Sequence, residues 1–234
     1  MRLITFALAL ACAAVFPALA QDPVKLNPEQ YNVIADNDLM RVLRVIRKPG
    51  EVAKMHTHPN PAVVIFVKDM NQRITNPGAE PREVHRKAGQ ISFNKPGNQH
   101  EEATIGDAAM ESVLVEIKPA TVNGVDTPIS PEFDIAKASP DTVTVEVDNE
   151  LVRVLRVKRG PGAKTPMHEH PNYVAVFLTD VHQSITGADG NTRESKRKRG
   201  DVAINKPSKH SEVGMSSQPS EVIVVELKKA PKGA

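Results

Sequence analysis

Short β-branched runs recur along the chain: Val42 to Val45, Ala62 to Val67, Ile91 to Phe93 and Val113 to Ile117. Turn clusters such as Asn76-Pro77-Gly78 and Ala188-Asp189-Gly190-Asn191 separate such runs. Apolar runs this short, bounded by residues that accept tight turns, predict strands, and their close spacing suits an all-β sandwich or barrel. The exception is at the start, where Arg2 precedes an apolar run from Leu3 to Phe16 and Ala18-Leu19-Ala20 supplies small residues after it. That run is shorter than the roughly 20 residues a spanning helix needs, so it predicts a signal peptide over residues 1–20, cut after Ala20. The chain is therefore expected to be periplasmic or secreted, with no membrane attachment after cleavage. Ala9-Leu10-Ala11, ahead of Cys12, lacks the aliphatic residue usual three places before a lipidated cysteine.

The pattern occurs twice. Residues 36 to 59 and 148 to 171 are identical at 15 of 24 positions, from Asp36-Asn37 and Asp148-Asn149 through to Met55-His56-Thr57-His58-Pro59 and Met167-His168-Glu169-His170-Pro171. The correspondence continues through Gln72 and Gln183, Asn94-Lys95-Pro96 and Asn205-Lys206-Pro207, and Glu116 and Glu226. A repeat of this length is a whole domain. Residues 21–118 and 143–234 are expected to form the two copies. Residues 119–142 carry Pro119, Pro128, Pro131 and Pro140 without apolar periodicity and read as a linker.

Composition narrows the chemistry. Cys12 is the only cysteine, so a chain cleaved after Ala20 has neither a disulfide nor a thiolate ligand. Cleavage also removes Arg2, leaving 29 basic against 28 acidic residues, which argues against nucleic acid as a partner. The run Lys196-Arg197-Lys198-Arg199 reads as a solvated strand end.

The histidines stand out against this background. His56 and His58 are two apart in a predicted strand and so share a face, as do His168 and His170. Two imidazoles on one strand face can hold an ion from one side, with a third ligand from a neighbouring strand; His100 and His210, at matching places, are the candidates. Met55 and Met167 alternate with the pairs and are assigned to packing, and His85 and His182 have no counterpart in the other copy.

Gly50-x5-His56-x-His58 and Gly162-x5-His168-x-His170 resemble the first cupin motif, and Gly89-x7-Gly97-x2-His100 the second. Gly200 to His210 is a looser match, one residue shorter and with Ser208 in place of the glycine. The resemblance covers nearly all of the chain after the signal. It implies a bicupin: two tandem jelly-roll β-barrels, with His56, His58 and His100 holding one divalent transition ion and His168, His170 and His210 a second. Iron, copper, nickel and zinc all suit imidazole ligands.

One departure bears on function. Many cupins carry a glutamate ligand four or five residues after the second histidine, where this chain has Ala62-Val63 and Val174-Ala175. Three neutral imidazoles leave an ion's charge uncompensated and positions open, which suits an anionic or chelating ligand beside dioxygen and resembles the three-histidine cupin oxygenases. The expected function is a metal-dependent, dioxygenase-like oxidoreductase acting on a small-molecule or carbohydrate-derived substrate. A non-catalytic binding protein and a metal-assisted isomerase or lyase are the alternatives. Glu101, Glu102 and Glu212, beside the third histidines, are candidates to hold an imidazole tautomer or move a proton. No side chain stands out as a general base. Homo-oligomer formation is also open, because two packed copies in one chain would resemble a dimer of single-domain relatives.

Overall fold

A computed structural model describes residues 21–233; the expected signal peptide and Cys12 lie outside the described residues. After a one-turn helix α1 (Pro23–Leu26), the first copy runs through nine strands: β1 (Tyr31–Asp36), β2 (Met40–Arg47), β3 (Val52–His58), β4 (Ala62–Phe66), β5 (Met70–Thr75), β6 (Arg82–Arg86), β7 (Ile91–Asn94), β8 (Asn98–Thr104) and β9 (Met110–Ile117). They form a five-stranded sheet, β1-β2-β9-β4-β7, and a four-stranded sheet, β3-β8-β5-β6. A connecting stretch holds α2 (Pro119–Val122) and β10 (Val125–Asp126).

The second copy repeats the plan. It follows α3 (Ile135–Ala138) with β11 (Val143–Asp148), β12 (Val152–Arg159), β13 (Lys164–His170), β14 (Tyr173–Phe177), β15 (Val181–Gly187), β16 (Thr192–Arg197), β17 (Val202–Asn205), β18 (Ser208–Gly214) and β19 (Ser220–Leu227). Its sheets have the same order, β11-β12-β19-β14-β17 and β13-β18-β15-β16. The last strand, β20 (Lys229–Ala230), pairs with β10. Each copy is a jelly-roll barrel, and the fold is all-β.

The near-continuous burial of β4 and β9 has a structural cause. A strand with one face on a core and one in water alternates apolar and polar positions; these strands have both faces covered. Val64, Phe66, Met110 and Leu114 point into the first barrel. The alternate positions Val63, Ile65, Val113 and Val115 join Val174, Val176, Ile223 and Val225 of the second copy in one buried cluster. The two five-stranded sheets thus pack back to back. The edges of this contact are reciprocal: Arg44 pairs with Glu111 at 3.0 Å and donates to the Gly200 carbonyl, while Arg156 pairs with Glu221 and donates to the Gly89 carbonyl at 2.5 Å. Gly89 and Gly200 turn with φ of +83° and +86°, and a Cβ on Gly89 would stand 3.3 Å from the Arg156 guanidinium. Glycine satisfies both the turn and the close approach.

Residues 134–142, read from sequence as part of a linker, belong to the second fold repeat. Asp134 caps α3 and pairs with Arg153 at 2.8 Å, as Asp22 caps α1 and pairs with Arg41 at 2.6 Å. Ile135, 1% exposed, sits in the second barrel's core. A one-turn helix leaves no apolar period to read, so the sequence pattern missed it.

Candidate metal centres

The first two histidines of each triad lie on β3 or β13, and the third on its hydrogen-bonded neighbour β8 or β18. His56 stands opposite His100 and His168 opposite His210. A register irregularity falls just ahead of each pair, between Ala53 and His56 and between Thr165 and His168. Such irregularities bend a strand and re-aim its side chains. All six histidines are buried, and each triad offers three ligand atoms within 4.8 Å of one another.

The hydrogen bonds on the outward ring nitrogens fix which atoms face the centre. His56 Nδ1 donates to the Lys54 carbonyl at 2.7 Å, and His58 Nδ1 to Glu116 Oε1 at 3.1 Å. In the second barrel His168 Nδ1 donates to the Pro166 carbonyl at 2.8 Å and His170 Nδ1 to Glu226 Oε1 at 2.6 Å. A neutral imidazole that donates from Nδ1 has a lone pair on Nε2. The Nε2 atoms of His56 and His58 are 3.2 Å apart, and His168 Nε2 is buried without any hydrogen-bond partner. Two lone pairs at that distance repel unless a cation lies between them. Metal–imidazole bonds of roughly 2.0–2.1 Å bring cis nitrogens to about this separation. Both sites therefore fit a divalent metal.

Supporting side chains extend outward. Glu116 lies on β9 under His58 and also accepts from Arg41 Nε at 2.7 Å; Glu226 and Arg153 repeat this at 2.6 Å. Burial pushes the Glu116 carboxyl up, but its hydrogen bonds from His58 and Arg41 win and hold it below the usual carboxylate range. Carboxylates behind ligand histidines orient the ring and raise its basicity.

A second carboxylate faces each centre directly. Glu102, two residues beyond His100 on the same face of β8, places Oε1 3.4 Å from His100 Nε2 and Oε2 2.5 Å from Arg47 Nη2. Glu212 sits likewise, with Oε1 3.7 Å from His210 Nε2 and Oε2 on Arg159. Burial raises the Glu102 carboxyl, yet the Arg47 guanidinium beside it outweighs this and brings it down to about 2. A carboxylate thus stands near each site from another strand, paired with Arg47 or Arg159. Among the described histidines and carboxylates, the groups placed to hold an ion are the three histidines of each site, as expected. Glu101, one position along, falls on the opposite face of β8.

The two barrels differ inside. The Tyr31 hydroxyl lies 3.2 Å from His56 Nε2, whereas Val143 stands at the matching position. Tyr173 occupies the position of Ala62 and packs on the His170 ring with centroids 4.5 Å apart. Gln183 ties up Glu212, donating to Oε1 at 2.9 Å, while its counterpart Gln72 turns to the Met110 sulfur. The first cavity measures about 150 Å³ and the second about 70 Å³. His85 and His182 lie away from both centres, bonded to Asn71 and Glu194.

Burial, as the largest cause, lowers His56, His168 and His210 to about 4, and His100 is lowered for the same reason. These rings are neutral at neutral pH and ready to ligate without losing a proton. Unfolded imidazoles titrate near 6.5, so between roughly pH 6.5 and 4 the unfolded chain binds protons that the folded chain refuses. Stability of the metal-free protein is accordingly expected to be full above that window and to fall as pH drops through it. Urea midpoints at neutral pH and at two values within the window check this, and a midpoint independent of pH would contradict it.

No protein-family model matches the chain, and no curated protein matches it. Solved structures do. AerE from Microcystis aeruginosa aligns with a TM-score of 0.63 at 14% identity, over 87% of this chain and 94% of that one. A tryptophan-to-tyrosine variant of Bacillus subtilis oxalate decarboxylase aligns with a TM-score of 0.57 at 12% identity, over 86% of this chain and 73% of that one. Another structure of the Bacillus enzyme, described for its Mn(II) centres, gives a TM-score of 0.52 at 12% identity, over 85% and 71%. At these identities the likeness speaks for the fold, and the fold is that of the cupins.

Proposed function

We propose that this protein is an exported bicupin and a metal-dependent oxidoreductase acting on a small substrate, with the N-terminal barrel as the working site. The observation that carries the reading is the convergence of imidazole lone pairs, with Nε2 atoms 3.2 Å apart in His56 and His58 and an unpartnered Nε2 in His168. His56, His58 and His100 would hold one ion and His168, His170 and His210 another. Iron, copper, nickel and zinc all suit such donors, and copper binds them most tightly among divalent first-row ions. A bound ion of this kind supplies Lewis-acid polarisation and, where it is redox-active, electron transfer. The chain itself contributes ring orientation through Glu116, a hydroxyl at Tyr31 and a charged wall at Arg47 and Glu102. The roomier first cavity favours turnover there over the second, which Tyr173 narrows.

One observation favours a second reading. Glu102 puts a carboxylate oxygen 3.4 Å from His100 Nε2, next to the candidate ion, which places within the site a group that the metal-assisted isomerase or lyase needs to accept a proton. Oxygen decides between them. Chain cleaved after Ala20 is loaded with each metal and assayed on diketones, phenolics, oligosaccharides and small carboxylates, with and without dioxygen. The oxidoreductase is expected to consume oxygen or release peroxide in step with substrate. Turnover that persists without oxygen supports the isomerase or lyase, and bound metal with no turnover on any substrate supports a binding protein.

A further inference from the structure

We propose that the Tyr31 phenol oxygen is a fourth ligand to the ion of the N-terminal barrel, a donor that the C-terminal site lacks. The proposal rests on the metal reading above and deepens it by naming a further ligand of the same site. Tyr31 opens β1, is 3% exposed and lines the cavity with His58 and His100. Its ring meets the His56 ring edge-on, with centroids 5.6 Å apart, and its hydroxyl oxygen lies 3.2 Å from His56 Nε2. His58 Nε2 stands at the same 3.2 Å from that atom. Nitrogen and oxygen ligands bound at roughly 2.0–2.2 Å lie about this far apart when they are neighbours on one ion. Burial, with the Glu102 charge, raises the phenol in the metal-free chain although Arg47 pulls the other way. A bound cation displaces such a proton to solvent, as it does from water and thiols. The phenolate then offsets part of a charge that three neutral imidazoles leave uncompensated.

The surroundings hold this oxygen in one barrel only. The Tyr31 N–H donates to the Asn27 carbonyl at 3.2 Å, and Asn27 Oδ1 accepts from the Lys54 N–H at 2.8 Å. The Lys54 carbonyl in turn accepts from His56 Nδ1 at 2.7 Å. One buried asparagine thus ties the strand that carries the phenol to the strand that carries the first two histidines. In the second barrel the three positions are Val143, Ser139 and Pro166. The phenol is gone, the side chain that made the tie is shorter, and proline has no N–H to donate. The backbone is otherwise kept: the Val143 N–H donates to the Ser139 carbonyl at 3.0 Å, and the Pro166 carbonyl accepts from His168 Nδ1 at 2.8 Å. The fold therefore does not call for a hydroxyl here. The tie and the oxygen are lost together, and His168 Nε2 is left with no polar neighbour where His56 Nε2 has Tyr31.

A metal spectrum tests this. Chain cleaved after Ala20 is loaded with ferrous iron, oxidised to the ferric state, and read by visible absorption and resonance Raman scattering. A ferric phenolate has a visible charge-transfer band that enhances tyrosine ring vibrations, and imidazole ligands alone give neither. The parent is expected to show both, and Tyr31→Phe to lose both while still binding two ions. Chelator competition should find the N-terminal ion of Tyr31→Phe held about tenfold or more weakly. Tyr173→Phe should keep the band, because that ring belongs to the other barrel. The chain has only these two tyrosines, so a band kept in Tyr173→Phe belongs to Tyr31 even if Tyr31→Phe fails to fold. A parent that binds iron without the band, a band that survives in Tyr31→Phe, or one lost in Tyr173→Phe overturns the proposal and leaves the histidine sites standing. A parent that takes up no ion overturns the metal reading itself, and this proposal with it.

Discussion

Replacing His56 by alanine is expected to lower the bound divalent metal from two ions per chain to one and to cut turnover by more than about a hundredfold. The ring is fully buried, its Nε2 stands 3.2 Å from that of His58, and its Nδ1 is committed to the Lys54 carbonyl. Removal leaves two imidazoles and a void, a set that neither encloses an ion nor orients a substrate on it. Glu116→Gln probes the layer behind: it keeps the shape but weakens the charge that holds His58, and loss of such partners costs typically about 10–100-fold in metal affinity or activity. His168→Ala should remove the other ion and leave most of the turnover. Elemental analysis with chelator competition measures occupancy, and two ions retained in His56→Ala would sink the assignment.

The second large effect is on stability. Glu102→Ala would leave the Arg47 guanidinium, 1% exposed, without its counter-charge. Breaking one side of a buried pair costs about 3–5 kcal/mol, because the remaining charge stays desolvated. Replacing both Arg47 and Glu102 by methionine removes the charges together and should recover most of the loss, since well-packed apolar substitutes are often neutral or better. Urea unfolding of the parent, Arg47→Met, Glu102→Met and the double replacement, without metal, gives the coupling. If Glu102→Ala costs under about 1 kcal/mol, the pair does not balance the charge inside the barrel.

What could be read from sequence was what the repeat displayed. The two copies, the all-β class and both histidine triads came from matched spacing. The inward roles of Arg47, Glu116 and Tyr31 did not, because they depend on which strands become neighbours. Glu116 reaches His58 across 58 positions of chain, and only the register of β4 on β9 shows that it faces the barrel. Glu102 was more accessible: two residues after His100 on a strand, it must share that residue's face. The signal that could have exposed Arg47 and Glu116 was present, since Arg41, Arg47 and Glu116 recur as Arg153, Arg159 and Glu226. A charged residue matched in both copies amid apolar runs is a candidate for a buried pair.

The back-to-back barrels, locked by Arg44 on Gly200 and Arg156 on Gly89, are arranged like a two-fold dimer whose subunits have been fused. In a true homodimer every substitution appears twice, so a change that fills one pocket fills both. Fusion lifts that constraint. Tyr173 can narrow one chamber while Ala62 leaves the other open, and Tyr31 can serve one triad alone, so the second barrel is free to become a support for the first.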